Sequence, residues 1–354
     1  MRDNGTNDAH DTDGTLDEAL LRLHATGPEF RGWLSNHAPM AVEALVRHGQ
    51  GARVHRWLDA YRARLEERPA PHGRITGENW RQALGDPRHL ADWTAYFGER
   101  LAEQPWREVL AEWWPRLLPG IAAGATHPVI RVGHAVRVLL AGDGTAPRVA
   151  ELAHGLGYGA ARYQPLPAGI VPGPAPAAAR AALRAVEPVP DRSGGIVHRL
   201  GQITRLPAWA GPGGGTDPDA ARARLEGLVR AATGYYATHA HGEPVMLGHA
   251  ATAPHAVLRV LPALPRALWA QSLAAAWAAS AGVVAAYAPA DGPREPAGTG
   301  GATAEELFDR AAAPGDAHAI KLADTALDVA AAHPGDGLAL GAVVRAVELT
   351  DPDD

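Results

Sequence analysis

The residues of this chain that are best suited to chemistry are its histidines and its one lysine. The sequence has 17 histidines, and Lys321 is the only lysine among 33 basic residues. A lysine can lose its proton when it is buried or lies near a metal, whereas an arginine in a protein stays charged. In a chain so strongly biased towards arginine, Lys321 is therefore a candidate base, Schiff-base former or site of carbamate formation with CO₂.

The spacing of the histidines predicts which of them share a helix face. His318 and Lys321 are three residues apart, so they lie side by side on a helix. His127 and His134 are seven apart and share a face with Arg131, but about 10.5 Å separates them along the axis. We therefore expect one of these two histidines to bind a metal and the other either to contact substrate or to lie just behind the metal's ligands.

Several common catalytic patterns are missing from the sequence. It contains no Gly-x-Ser-x-Gly, no Gly-x-Gly-x-x-Gly after a strand and no His-Glu-x-x-His, which argues against serine hydrolase, dinucleotide and zincin chemistry. One Glu-x-x-His is present, from Glu151 to His154, but a di-iron bundle needs two such motifs and two further glutamates. The absence of cysteine excludes disulfide scaffolds, iron–sulfur clusters and thiol nucleophiles.

Helical periodicity dominates the chain, so we predict an all-α fold with essentially no sheet. We expect one large multi-helix domain over residues 15–349, preceded by a disordered tail at 1–14. Pro/Gly-rich connectors are predicted near 165–178, 210–219 and 289–301. The helices are expected near 16–26, 38–48, 51–67, 88–103, 105–118, 128–141, 146–163, 218–240, 250–260, 265–288, 303–312, 315–332 and 335–349.

The charge and the apolar segments limit the partners that we expect. A net charge of −6 argues against a strongly basic face for nucleic acid. The N-terminus is polar and acidic, unlike a secretory signal. The uncharged stretch 267–290 is long enough to span a bilayer, but its Ala, Ser, Gln and Gly content is more typical of a buried core helix. We therefore predict a cytoplasmic protein that binds neither nucleic acid nor a membrane.

Five short motifs, in this order along the chain, resemble those of the questin oxidase-like family, and they span residues 36 to 321. The motifs are Asn36-His37-Ala38-Pro39-Met40 with 43–45, His127-Pro128-Val129-Ile130-Arg131 with 134–137, Glu151-Leu152-Ala153-His154 through Tyr158 to Tyr163, His249-Ala250-Ala251-Thr252 with 258–259, and His318-Ala319-Ile320-Lys321. The chain departs from the family pattern at Ala38, Gly159 and Ala251, which stand where glycine, an aromatic residue and valine are usual. These departures affect the expected pocket shape more than metal binding.

The resemblance implies an all-helical oxygenase that opens a ring of an aromatic polyketide, of the quinone or anthraquinone type, with O₂. It also implies one non-haem Fe(II), held by four histidines and a carboxylated lysine that we assign to Lys321. Imidazoles with an anionic oxygen suit Fe(II). Six histidines lie in the motifs, and we rank the ligands in the order His318, His249, His134 and His37, followed by His154.

Under this resemblance, the remaining candidates act on the substrate. We expect His127 and Arg131 to be catalytic, with His127 outside the metal's own ligands. A planar, acidic substrate would be held by charge or by stacking. The predicted substrate-binding residues are Trp33, Arg131, Tyr158 and Tyr163.

The sequence leaves three other functions open. One is a flavin-free Baeyer–Villiger-type monooxygenase that acts on the same substrates and needs NADPH. Another is a divalent-metal hydrolase with the same lysine carbamate, which would need two metals and usually an aspartate ligand. The third is a helical polyketide-binding protein without catalytic activity. The exact substrate, the need for a reductase partner, the identity of the four histidines and the oligomeric state also stay open.

Overall fold

The computed structural model describes residues 14–142, 144–210 and 217–350. These residues form sixteen α-helices and two sheets of two strands each, which confirms the predicted all-α class. The first eight helices are α1 (Thr15–His24), α2 (Ala38–Arg47), α3 (Gly51–Arg62), α4 (Trp80–Ala83), α5 (Leu90–Glu103), α6 (Trp106–Leu117), α7 (His127–Ala141) and α8 (Ala146–Ala161).

The second half of the chain has the same character. Its helices are α9 (Ala179–Arg184), α10 (Ile196–Leu200), α11 (Pro218–His239), α12 (Pro244–Val260), α13 (Trp269–Tyr287), α14 (Ala304–Ala312), α15 (Ala317–Ala332) and α16 (Gly337–Leu349). The short strands β1 (Glu29–Phe30) and β2 (Leu34–Ser35) are antiparallel, and β3 (Val171–Gly173) runs parallel to β4 (Arg205–Pro207).

The structure corrects some of the predicted boundaries. Helix α3 ends at Arg62 rather than near 67, because the residues before Pro69 leave the helix and pair with the loop after α1, where Thr26 bridges Glu67. Helix α12 begins at Pro244 rather than near 250, since proline suits a first helical turn. The short helices α4, α9 and α10 were not predicted.

The structure describes two of the three predicted connectors in full. The connector 165–178 contains strand β3, and 289–301 has neither helix nor strand. Most of the connector at 210–219 and almost all of the predicted tail at 1–14 lie outside the described residues. Helix α13 lies in the stretch Arg266–Tyr287, which is long and apolar enough to cross a membrane, but most of that stretch is buried in the fold. Such burial is typical of a core helix in a soluble protein.

Helices α2, α7, α12 and α15 meet at the centre of the fold and position the candidate site. Helix α12 packs against α7, α11, α13 and α15, and α2 packs against α7 and α15. Helices α7 and α12 approach closely at Gly133, where an added Cβ would lie 2.6 Å from the Cβ of Ala256. A side chain at Gly133 would push the two helices apart, so glycine is needed for this packing.

Candidate metal centre

Four histidines and Lys321 converge where α2, α7, α12 and α15 meet. His37 immediately precedes α2, His127 is the first residue of α7, and His249 lies within α12. His318 and Lys321 come from the first two turns of α15. The ring centroid of His37 lies 4.5 Å from that of His127 and 4.3 Å from that of His318. The ring centroids of His127 and His249 are 4.4 Å apart. We call these five residues the histidine–lysine cluster.

Two of the imidazoles in the cluster face each other through their Nε2 atoms. The Nε2 of His37 and the Nε2 of His127 are 2.7 Å apart. His127 Nδ1 lies 2.6 Å from the carbonyl oxygen of Gly124, to which it must donate, so its Nε2 carries a lone pair. The ligand atoms of His37, His127 and His318 all lie within 4.8 Å of one another, close enough to share one metal ion.

The backbone before α7 adopts an unusual conformation that positions His127. Gly124, Ala125 and Thr126 have φ values of 47°, 56° and 68°, all in the left-handed region. Such angles are unfavourable for alanine and threonine and persist only where the surrounding structure imposes them. This turn directs the Gly124 carbonyl at the His127 ring and so sets which ring nitrogen is free to bind a metal.

Two members of the cluster are buried without hydrogen-bond partners among the described residues. His249 and Lys321 are each only 2% exposed, and neither ring nitrogen of His249 nor the Nζ of Lys321 has a partner. Leaving a buried polar group unpaired costs about 1–3 kcal/mol. Three such atoms at one place indicate that the cluster is built for a ligand that satisfies them.

The protonation states of the cluster favour metal binding. Burial, together with the nearby Lys321, lowers the pKa of His37, His127 and His249 well below its usual value. Burial also lowers the pKa of Lys321 to about 7, although the charge of Asp316 opposes this shift. Neutral imidazoles and a lysine that is readily deprotonated are the forms that bind a metal or react with CO₂.

Neighbouring side chains hold the cluster histidines in place. The hydroxyl of Tyr61 accepts a hydrogen bond from the backbone N–H of His37 at 3.0 Å and lies 3.3 Å from its Nδ1. Asp316 caps α15 by accepting from the N–H of Ala319 at 2.7 Å, and its Oδ2 lies 3.6 Å from Nδ1 of His318. The sequence prediction did not include Tyr61 or Asp316. Asp316 could have been found as an N-cap three residues before Ala319, whereas Tyr61 lies in no motif.

The space beside the cluster is small. His249, His318 and Lys321, together with Tyr236 and Thr252, border a cavity of about 10 Å³. Such a volume has room for about one water-sized molecule. It can hold an ion or a small group on Lys321, but not a polycyclic aromatic molecule.

His134, which was ranked among the metal ligands, lies in a different cluster of buried charges. Its Nδ1 lies 2.6 Å from Oε2 of Glu43, and Arg137 bonds both Glu43 and Asp324. Burial alone would raise the pKa of Glu43, but Arg137 and His134 lower it to about 2. Arg259 also bonds Asp324, at 2.6 Å. Although Glu43, His134 and Asp324 are close enough to share a cation, the arginines already neutralise both carboxylates, so we interpret the group as an ion-pair network.

His154 and Arg131 lie in a third buried group. The ring of His154 stacks on that of His24 at 4.3 Å, and His24 Nε2 lies 2.8 Å from Glu151. Arg131 donates two hydrogen bonds to the same carboxylate, at 2.5 and 2.8 Å. The structure thus places His154 apart from the other predicted ligands. It also shows Arg131 buried and paired with Glu151 rather than open to an acidic substrate.

The predicted stacking residues are dispersed. Trp33 is 62% exposed in the turn between β1 and β2. Tyr158 is buried, and its hydroxyl bonds Ser35 at 2.7 Å and Glu29 at 3.1 Å. Tyr163 is half-buried and its ring packs against Gly120. The structure therefore does not bring these three side chains together.

The fold and the site define an all-helical protein with a buried histidine–lysine cluster suited to a metal ion. A family model described as questin oxidase-like matches residues 34–206. This match confirms, over residues 34–206, the resemblance that the motifs predicted. At the level of the family, this supports an oxidoreductase of the oxygenase type that acts on small aromatic polyketides. The comparison with curated proteins finds no match.

Proposed function

We propose that this protein is a non-haem iron oxygenase that uses O₂ to cleave a ring C–C bond of an aromatic polyketide of the quinone or anthraquinone type. The observation that carries the proposal is the convergence of four histidines and the only lysine of the chain in one buried cluster. These residues come from four helices that lie far apart in the sequence. Burying several neutral imidazoles together has an unfavourable desolvation free energy, which binding of a shared cation would offset.

The geometry supports a ligand set that differs in one member from the predicted set. We assign His37, His127, His249 and His318 as the imidazole ligands, with Lys321 as the fifth residue. His127 replaces His134, because the lone pair of its Nε2 faces His37 within the cluster. The ring nitrogens of His249, which have no partner among the described residues, fit the same role. Nitrogen ligands with one anionic oxygen suit Fe(II).

Lys321 would supply the anionic oxygen as a carbamate. The neutral Nζ attacks the carbon of CO₂, an N–C bond forms, and the amine proton leaves to solvent. This reaction converts a group that repels a cation into an anion that neutralises it. Two observations support this assignment: the buried Nζ has no partner in the part of the chain that the structure describes, and a small cavity lies beside His249 and His318.

When bound, Fe(II) would supply the activation of O₂, with electrons drawn from an electron-rich phenol or hydroquinone. The protein's own residues orient and protect this centre. The Gly124 carbonyl keeps the His127 proton on Nδ1, and Tyr61 holds the loop of His37 through its backbone N–H. Burial of the cluster among four helices excludes bulk water, which strengthens every electrostatic interaction within it.

Metal analysis after anaerobic loading with iron tests the ligand set. We expect about one iron per chain in the wild type, and loss of most of it in His127→Ala and His249→Ala. His154→Ala is the matched control and should keep its iron, because it removes a buried imidazole outside the cluster. Full iron occupancy in both cluster variants would contradict the assignment.

Oxygen consumption tests the reaction. We expect the iron-loaded protein to consume O₂ with an electron-rich polycyclic phenol or hydroquinone and to release a ring-opened product. A strict requirement for NADPH would favour the monooxygenase alternative. Turnover of the same compound under anaerobic conditions would refute oxygenase activity.

A further inference from the structure

An open cleft lies on the surface beside the histidine–lysine cluster. One wall is helix α3, with Arg53, Arg56, Trp57 and Tyr61, together with Arg64 just after the helix. The other wall is the end of α14 and its link to α15, residues 312–315. Its volume of about 540 Å³ is within the usual range for small-molecule sites, about 300–1,000 Å³. We call it the α3 cleft.

The α3 cleft combines an aromatic platform with positive charge. The rings of Trp57 and Tyr61 stack with centroids 4.9 Å apart and an angle of 18° between their planes. The indole N–H of Trp57 donates to the Gly315 carbonyl at 2.8 Å, which fixes the ring across the cleft. In the described part of the chain, the exposed guanidinium groups of Arg53 and Arg56 have no ion-pair partner. Arginine beside aromatic rings recognises flat, negatively charged molecules through stacking and bidentate hydrogen bonds.

Both walls of the α3 cleft contact residues that position the cluster. Tyr61 lines the cleft, and its hydroxyl accepts a hydrogen bond from the backbone N–H of His37. Gly315 lines the opposite wall and directly precedes Asp316, whose carboxylate lies 3.6 Å from the His318 ring nitrogen. A molecule in the cleft would therefore be one layer of side chains away from two of the cluster histidines.

We propose that the α3 cleft binds a planar aromatic anion, such as a polycyclic phenolate or an aromatic carboxylate. The inference rests on the proposed function, because it assigns the place where the substrate of that reaction docks. The cavity at the cluster has only about 10 Å³ and an apolar cavity beside the start of α7 about 40 Å³, so neither accommodates such a molecule. Arg53 and Arg56 attract the negative charge, and Trp57 provides a stacking surface.

Equilibrium binding of two probes to the full-length protein tests this proposal. The probes are anthraquinone-2-sulfonate, which is planar and anionic, and 2-(hydroxymethyl)anthraquinone, which has the same rings without the charge. We expect the double variant Arg53→Gln/Arg56→Gln to bind the sulfonate about tenfold more weakly, through loss of two charge contacts. Its affinity for the neutral probe should stay within about twofold. Trp57→Leu should weaken the binding of both probes.

A matched control is Arg107→Gln, because Arg107 is also an exposed arginine beside a tryptophan, with its guanidinium carbon 4.6 Å from the Trp106 ring. Its affinity for the sulfonate should equal that of the wild type, and thermal melts should show that all variants are folded. An unchanged affinity in the double variant, or in Trp57→Leu, would overturn the proposal.

The experiment separates this proposal from the proposed function. Binding is measured without added iron or O₂, whereas the iron content of the arginine variants reports on the cluster alone. Normal iron content with unaltered probe binding in the arginine variants would refute the α3 cleft as the docking site without contradicting the metal site. Weakened probe binding in a protein that takes up no iron would support the cleft and refute the iron assignment.

Discussion

Replacing Lys321 by methionine should stabilise the iron-free protein and at the same time abolish its ability to bind iron. The side chain of Lys321 is 2% exposed, and its Nζ has no hydrogen-bond partner in the described structure. Methionine is flexible, apolar and of similar length, so it can fill the same space without leaving a buried amine unsatisfied. Stability and metal binding are therefore expected to change in opposite directions.

The size of the stabilisation follows from the pKa of the lysine. Burial lowers this pKa from 10.5 to about 7. Between these two pH values the unfolded chain takes up a proton that the folded protein does not, so stability falls as the pH decreases from 10.5 to 7. The difference corresponds to about 4 kcal/mol at pH 7. Methionine does not titrate, so Lys321→Met should be more stable by up to about 4 kcal/mol at pH 7, and the gap should close towards pH 10.5.

Urea unfolding followed by circular dichroism measures this effect, in CO₂-free buffer with a chelator, at pH 7 and near pH 10. Leu327→Met is a suitable control, because it places methionine at another buried position of α15. That variant should change stability by less than about 1.5 kcal/mol and keep its iron. Two results together would refute the reasoning about a desolvated amine. Lys321→Met would be no more stable than the wild type at pH 7, and the difference in unfolding free energy between the two proteins would be the same at both pH values.

Removing the partner of a buried carboxylate should destabilise the protein without affecting the metal. Arg131→Gln leaves Glu151 buried without its two hydrogen bonds from the guanidinium. We expect urea unfolding to show a loss of about 3–5 kcal/mol in the free energy of unfolding, with unchanged iron content. An unaltered unfolding midpoint would argue against a structural role for Arg131. Acid should also weaken the iron-free fold through His255, whose pKa is lowered to about 4 by burial and by Arg259. The unfolded histidine binds its proton near pH 6.5 and the folded one near pH 4, so stability should fall by about 3 kcal/mol across that window. Melting temperatures between pH 7 and 4 should show this fall, and His255→Gln should show a smaller one.

Local information in the sequence was enough to predict the helical class and most of the helices. Periodic apolar residues, with a proline in the first turn of each helix, mark α7, α8 and α11 without reference to the rest of the fold, and Gly142 directly follows the last turn of α7. Composition alone drew attention to Lys321, because a single lysine stands out in an arginine-rich chain. The side-by-side placement of His318 and Lys321 also follows from helix geometry alone.

Only the tertiary structure decided which histidines meet. His127 and His134 share a face of α7, but they lie two turns apart, so each reaches a different part of the neighbouring helices. The left-handed turn before α7 directs His127 towards His37, while His134 lies against Glu43. Sequence spacing cannot predict this outcome, because it depends on where α2 and α12 cross α7.

Sequence spacing is equally unable to predict which charged side chains pair with one another. Arg131 was predicted to hold an acidic substrate, yet a carboxylate twenty residues away, that of Glu151, reaches it through the packing of α8 on α7. The α3 cleft likewise joins two segments about 250 residues apart in the sequence, and no local pattern links them. Helix periodicity specifies which face of each helix is buried, whereas the contacts between helices specify which polar groups on those faces are paired and which are left free to bind a ligand.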